Sequence, residues 1–159
     1  MAEPIEWLVL QDLQTALRAI AISDGYHFDV QALAVKLDPD QKVEDLIAPG
    51  GPRPFLILQP QPDTWDYRER PAQAHIILPI TVHWISDTVQ TDDDSRLRTF
   101  LRGCADIEQA IARDITRGGL AVDTRIVKRE LDLAVGGSQV WAMVDVEIAL
   151  RRTYGAPNA

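Results

Sequence analysis

The sequence has one cysteine, Cys104, so no disulfide can close within the chain. A reducing compartment, the cytoplasm, is the expected setting. Bases are scarce: 16 Lys and Arg stand against 24 Asp and Glu, a net charge of -8. Binding to nucleic acid or to an anionic membrane surface needs clustered positive charge, so neither partner is expected. No apolar run approaches the ~20 residues of a membrane span. The opening MAEPIEWLVLQDL carries acids where a signal peptide carries positive charge, so export by that route is not expected.

Chemical motifs are missing as well. There is no G-x-S-x-G elbow, and Gly50-Gly51-Pro52 lacks the Lys and Ser/Thr of a phosphate-binding loop. Gly118-Gly119 follows a helical pattern instead of preceding one, so it prepares no anion site. His27 is isolated. His75 and His83 share a strand face but lie ~27 Å apart along it, too far to hold one metal. Asp92, Asp93 and Asp94 have no EF-hand spacing and read as a solvated loop and helix cap. Cys104 falls in an apolar helical stripe with nothing nearby in sequence to lower its pKa, so a buried structural thiol is expected. No metal, no cofactor and no catalytic residue is expected, and the protein reads as a non-enzyme.

What is present is an architecture. The 159 residues, 46% apolar, suit one domain with its own core. Residues 4–22 read as a helix, with Ile5, Val9, Leu13, Leu17 and Ile20 on one face and Pro4 in the first turn. Residues 26–30 read as a short strand, and 31–37 fit either a strand or a helical turn. Residues 38–53 are a connection with one possible turn over VEDLI. PFLILQP, bounded by prolines, reads as a buried strand. Residues 61–72, QPDTWDYRERPA, read as a flexible polar loop. HIILPITVHWIS is the longest strand signal, with Ile76, Leu78, Ile80, Val82 and Trp84 on one face. Pro79 within it suggests an edge, a bulge or a bend.

A second helix runs from the aspartates to about residue 116. Its stripe is Leu97, Phe100, Leu101, Cys104, Ile107, Ile111 and Ile115, and Gly118-Gly119 ends it. Residues 121–133 and 139–153 then form a hairpin around Gly136-Gly137-Ser138, with Val140 to Leu150 alternating inward. The fold class expected is α+β: a mixed, mainly antiparallel sheet packed with two main α-helices in one domain, ending in a short tail over 154–159.

Interface candidates come from aromatics and charge. Trp65, Tyr67, Arg68 and Arg70 crowd the polar segment, and aromatics beside arginine are typical interface anchors. Trp141 either anchors an interface or lies beneath the first helix of a sheet covered on both faces. Segment 87–94 holds four acids and no base, whereas 96–117 holds five arginines and three acids. Asp92, Asp93 and Asp94 could meet Arg98 and Arg102 of a neighbouring copy head to tail. The alternative is simple solvation, with Arg98 and Arg102 pairing to Asp106 along the helix. The ending DVEIALRRTYGAPNA, with Arg151 and Arg152 at its tip, suits a subunit that joins a neighbour edge to edge.

Taken in order, GYHFDV, PFLILQP, HIILPITVHWIS, LRGCADIEQAIARD, GGL and DVEIALRRTYG resemble the small tail terminator or tail-completion proteins of tailed bacteriophages and prophages. D-I-E-x-A on the second helix and the terminal strand of the V-x-V-x-V-x-Y/R-R type are the strongest parts, and the resemblance spans almost the whole chain. It implies a tail-terminator-like domain over 1–159 that acts without catalysis. Such a protein forms a ring, usually hexameric, which caps the tail tube, ends its polymerisation and meets the head-completion or connector proteins. The partners implied are copies of itself, the tube protein and the connector. The place implied is the host bacterial cytoplasm during assembly, then the head-proximal end of the virion tail. A different head-tail connector or baseplate ring subunit remains open, as does a phage-unrelated interaction module.

Overall fold

A computed structural model describes residues 3–70, 73–88, 92–132 and 138–153. The chain order is α1 (Ile5–Arg18), β1 (Ala32–Val35), β2 (Phe55–Pro60), β3 (Thr64–Arg70), β4 (Gln73–Asp87), α2 (Asp93–Ala112), β5 (Asp123–Asp132) and β6 (Gln139–Thr153). The six strands form one sheet in the order β1-β2-β4-β6-β5, with β3 paired to β4 beyond the end of β2. Only β1 and β2 are parallel; the other pairs are antiparallel. The fold is α+β, as expected.

Both helices cover one face of the sheet. Val9, Leu13 and Leu17 of α1 meet Phe100, Cys104, Ile107 and Ile111 of α2 over the inward row Ile76, Leu78, Ile80, Val82 and Trp84 of β4 and Val140 to Leu150 of β6. Each large aliphatic side chain withdrawn from water here contributes about 1.5–3 kcal/mol. Arg117, 1% exposed, ties the two helices together. Its guanidinium donates to the Ile111 carbonyl at 2.7 Å and lies 3.2 Å from Asp12 of α1.

Several expectations are corrected. α1 stops at Arg18, and the chain turns through a short 3-10 helix at Ile22–Asp24 into Gly25, whose φ of 87° favours glycine. Residues 26–30 are not a strand, because the N–H groups of His27 and Phe28 bond to the Asp106 carboxyl instead of a ladder. The strand is β1, over part of 31–37. The polar segment 61–72 contains β3, which pairs antiparallel with β4 at Thr64↔Ile77, Trp65↔Ile76 and Asp66↔His75. Its Thr64, Trp65 and Tyr67 are residue types that favour strands, a signal that its charges obscure. Pro79 is not at an edge. Its carbonyl accepts from Gln61 N at 2.9 Å, so its donor-less nitrogen faces the gap where β4 passes from β2 to β3. The final strand β6 is interior, between β4 and β5, and offers no free edge. The turn residues Gly136 and Gly137 and the tail 154–159 lie outside the described residues.

On α2 the expected stripe is too wide. Phe100, Cys104, Ile107 and Ile111 are buried, but Leu97 and Leu101 are each 47% exposed. Leu101 follows Phe100 by one residue, about 100° round the helix, and points off the sheet. Ile115 lies beyond the helix end and is exposed. α2 approaches the sheet closely at Gly103, where an added Cβ would sit 2.8 Å from two atoms of the Trp84 indole. Gly103→Ala is expected to lower stability by about 1–3 kcal/mol through overpacking. Chemical unfolding followed by tryptophan fluorescence measures this, and an unchanged midpoint would refute the tight contact.

Candidate functional site

Asp92, Asp93, Asp94, Arg98 and Arg102 of the sequence candidates lie at the start and on the outer surface of α2. Asp92 caps the helix: its carboxylate accepts from Ser95 N at 2.9 Å and Ser95 Oγ at 2.8 Å, and these bonds hold its pKa below the usual carboxylate range. Asp93 and Asp94 are exposed in the first turn, where the helix dipole favours them. Arg98 and Arg102 are exposed one and two turns on from Asp94 and have no ion pair among the described residues. With His27, Leu97 and Leu101 they line an open groove of about 450 Å³. The acidic turn and the two arginines therefore share one surface of one helix, instead of forming two separate patches.

Asp106 does not pair with Arg98 or Arg102. It is fully buried on the inner side of α2. Its two oxygens accept from His27 N at 2.9 and 3.0 Å and from Phe28 N at 3.0 Å, and His27 Nδ1 lies 2.7 Å from Oδ1. This carboxyl holds residues 27–28 against α2 and sets His27 at the groove. Phe28 packs edge-on to Trp84 at 5.4 Å.

The other candidates lie apart from the groove. Trp65 is half-buried, donates from Nε1 to Asp63, and carries the Arg152 guanidinium 4.6 Å over its ring. Arg152 also pairs with Glu6 of α1. These contacts join α1, β3 and β6 within one subunit. Arg151, its neighbour, is exposed. Tyr67, Arg68 and Arg70 lie on the β3 backbone, where pairing to β4 loses register between Asp66 and Arg70.

Trp141 is neither exposed nor under α1. It is 6% exposed in a second small core with Ile57 and Ile85, on the sheet face opposite the helices, beneath Val43, Leu46 and Ile47. The VEDLI turn forms a short 3-10 helix at Val43–Leu46 and supplies that cover. Trp141 Nε1 donates to His83 Nδ1 at 3.2 Å, so Nδ1 carries no proton, and Nε2–H donates to Gln59 Oε1 at 3.0 Å. His83 is a satisfied core side chain. Burial lowers its pKa from 6.5 to about 4, against the opposing charges of Asp145 and Glu44. Burial likewise raises the Cys104 thiol to about 11, as suits an unreactive core residue.

On the uncovered half of the same face a groove of about 310 Å³ holds Thr81, Asp145 and Glu147. Thr81 donates to Asp145 at 2.8 Å, and Arg125 donates to Glu147 at 3.1 Å. No histidine lines it. Among the described residues no three His, Cys, Asp or Glu are placed to hold a metal ion, and no helix is long and apolar enough to cross a membrane.

No protein-family model matches the chain, and no curated protein matches it. Among solved structures it is similar to a chain of the virion of the native gene transfer agent (GTA) particle. The TM-score is 0.43 at 11% identity, over 88% of this chain and 92% of that one. The likeness is distant and assigns no role.

Leu97, Leu101 and His27 were not among the residues singled out for an interface. Leu97 and Leu101 read as core because they continue the apolar stripe by spacing. Only the position of residues 27–28 shows where the covered face stops.

Two outcomes follow from the buried polar groups. Asp106→Ala leaves two backbone donors unpaired in the interior and is expected to cost about 3 kcal/mol or more. Urea unfolding checks this, and a loss under about 0.5 kcal/mol would show the staple to be dispensable. For His83 the unfolded chain takes up a proton near pH 6.5 and the folded chain only near pH 4. Its contribution is therefore full above pH 6.5 and is lost as pH falls towards 4, by up to about 3 kcal/mol. His83→Gln should flatten that part of the stability-pH curve relative to wild type; identical slopes would contradict the assignment.

Proposed function

We propose that this chain is a non-catalytic structural subunit of a phage or prophage tail. In this reading it forms a ring that caps the tail tube, ends tube polymerisation and presents a surface to the head-completion proteins. The observation that carries the reading is that the segments resembling tail terminators pack on one another. Asp106 of D-I-E-Q-A receives the His27 and Phe28 amides of GYHFDV. PFLILQP pairs with HIILPITVHWIS over Phe55↔Ile85 to Pro60↔Ile80. Within DVEIALRRTYG, Asp145 to Arg151 pair with Thr81 to His75 of HIILPITVHWIS, and Arg152 reaches α1 and β3. Motifs scattered along the sequence thus belong to one interlocked core, as a shared fold requires.

The groove on α2 supports the assembly part of the reading. It joins two exposed leucines to two arginines that have no ion pair among the described residues, the composition of an interface more than of a reaction pocket. Its test uses the purified chain with polymerising tail-tube subunits, followed by light scattering and by tube lengths in electron micrographs. A closed hexameric ring, formed alone or on the tube, and shortened capped tubes are expected. Unchanged tube lengths together with no co-purification would reject the tail role.

A further inference from the structure

The groove on α2 has a complementary surface elsewhere on the same chain. Leu37, 75% exposed, is the most exposed of the large apolar side chains among the described residues. It opens a segment, 37–46, that holds Asp38, Asp40, Glu44 and Asp45 against the single base Lys42. All four carboxylates are exposed. The segment leaves the end of edge strand β1 and crosses to the sheet face opposite α2, where Val43, Leu46 and Ile47 cover the second core. It therefore cannot fold back onto the groove of its own subunit.

The segment is also held in place. The buried Lys36 donates from Nζ to the Asp38 carbonyl at 2.8 Å, and Asp40 N donates to Asp38 Oδ1 at 2.9 Å. Lys42 N donates to Asp45 Oδ2 at 3.3 Å. A surface already ordered loses less entropy on association.

Resting on the ring-forming function above, we propose that the acidic 37–45 segment of one copy docks head to tail in the α2 groove of the next. Leu37 lies against Leu97 and Leu101, and the carboxylates face Arg98 and Arg102. Two different surfaces on opposite sides of one subunit make a heterologous contact, the kind that generates a ring when its rotation closes. Asp94 borders the groove itself and Asp92 caps the same helix, so these two acids lie on the groove side of the contact.

Charge reversal tests the pairing. One variant carries Arg98→Glu with Arg102→Glu, the other Asp40→Arg with Glu44→Arg; circular dichroism confirms that each is folded. Sedimentation velocity is run on wild type, each variant and their equimolar mixture. Each variant alone should associate about thirty-fold or more weakly than wild type. The mixture should recover assembly, because each reversed surface then meets its opposite. Wild-type assembly that survives both reversals, or a mixture that fails to recover it, overturns this pairing and leaves the ring itself standing. A wild-type chain that stays monomeric at every concentration also overturns it, and capping of the tail tube then decides separately whether the tail function stands.

Discussion

The pairing of β4 with β6 is the constraint on which the rest depends. Fifteen consecutive pairs run from Gln73↔Thr153 to Asp87↔Gln139. Because side chains alternate along both strands, this one register fixes the two faces of the sheet. A slip of one residue would turn Ile80, Val82 and Trp84 away from the helices and bring Pro79, Thr81 and His83 beneath them. The long ladder also fixes what β4 offers on its other side. Strand β2 takes one end and β3 the other, and Pro79 sits where neither needs a donor. The interior proline is therefore compatible with a central strand.

The second organising contact is the buried Asp106 carboxyl. A carboxyl with no exposure is tolerated only when its oxygens are fully bonded, and here residues 27 and 28 supply the donors. That requirement shapes the surface as well as the core. It pulls the stretch between α1 and β1 against the flank of α2, so this stretch cannot join the sheet. The covered face of α2 ends there, and Leu97 and Leu101 stay open beside His27. The open groove is thus a consequence of satisfying one interior polar group.

Much of this was legible in the sequence where a strict period held. The inward rows of β4 and β6 follow from alternation, and α1 follows from spacings of three and four. Asp92 as a cap follows from its place before the helix. What was not legible depends on partners distant in sequence. β3 is rich in charged residues, and only its pairing with β4 marks it as a strand. Trp141 sits on the face that periodicity assigns to solvent, and a single 3-10 turn at 43–46 makes that end of the face a core. Leu97 and Leu101 have core spacing, but nothing packs over them. Arg152 reads as a basic tip like Arg151, yet the Trp65 ring and Glu6 hold it inside. In each case a neighbour decided the side chain's role, and local pattern carries no information about that neighbour.

The same placement of charge bears on how copies can associate. Growth through sheet edges is hindered at both ends. β1 has four residues, and β5 has a bulge between Ile126 and Lys128 with exposed Lys128 and Arg129 beside it. The net charge of -8 adds a general repulsion that only a local patch of opposite sign can overcome. Edge pairing is therefore disfavoured, which leaves the two faces of the sheet as the surfaces open to a partner. On those faces the basic, apolar groove of α2 and the acidic 37–46 segment lie on opposite sides of the sheet, so one copy cannot bring its own two surfaces together.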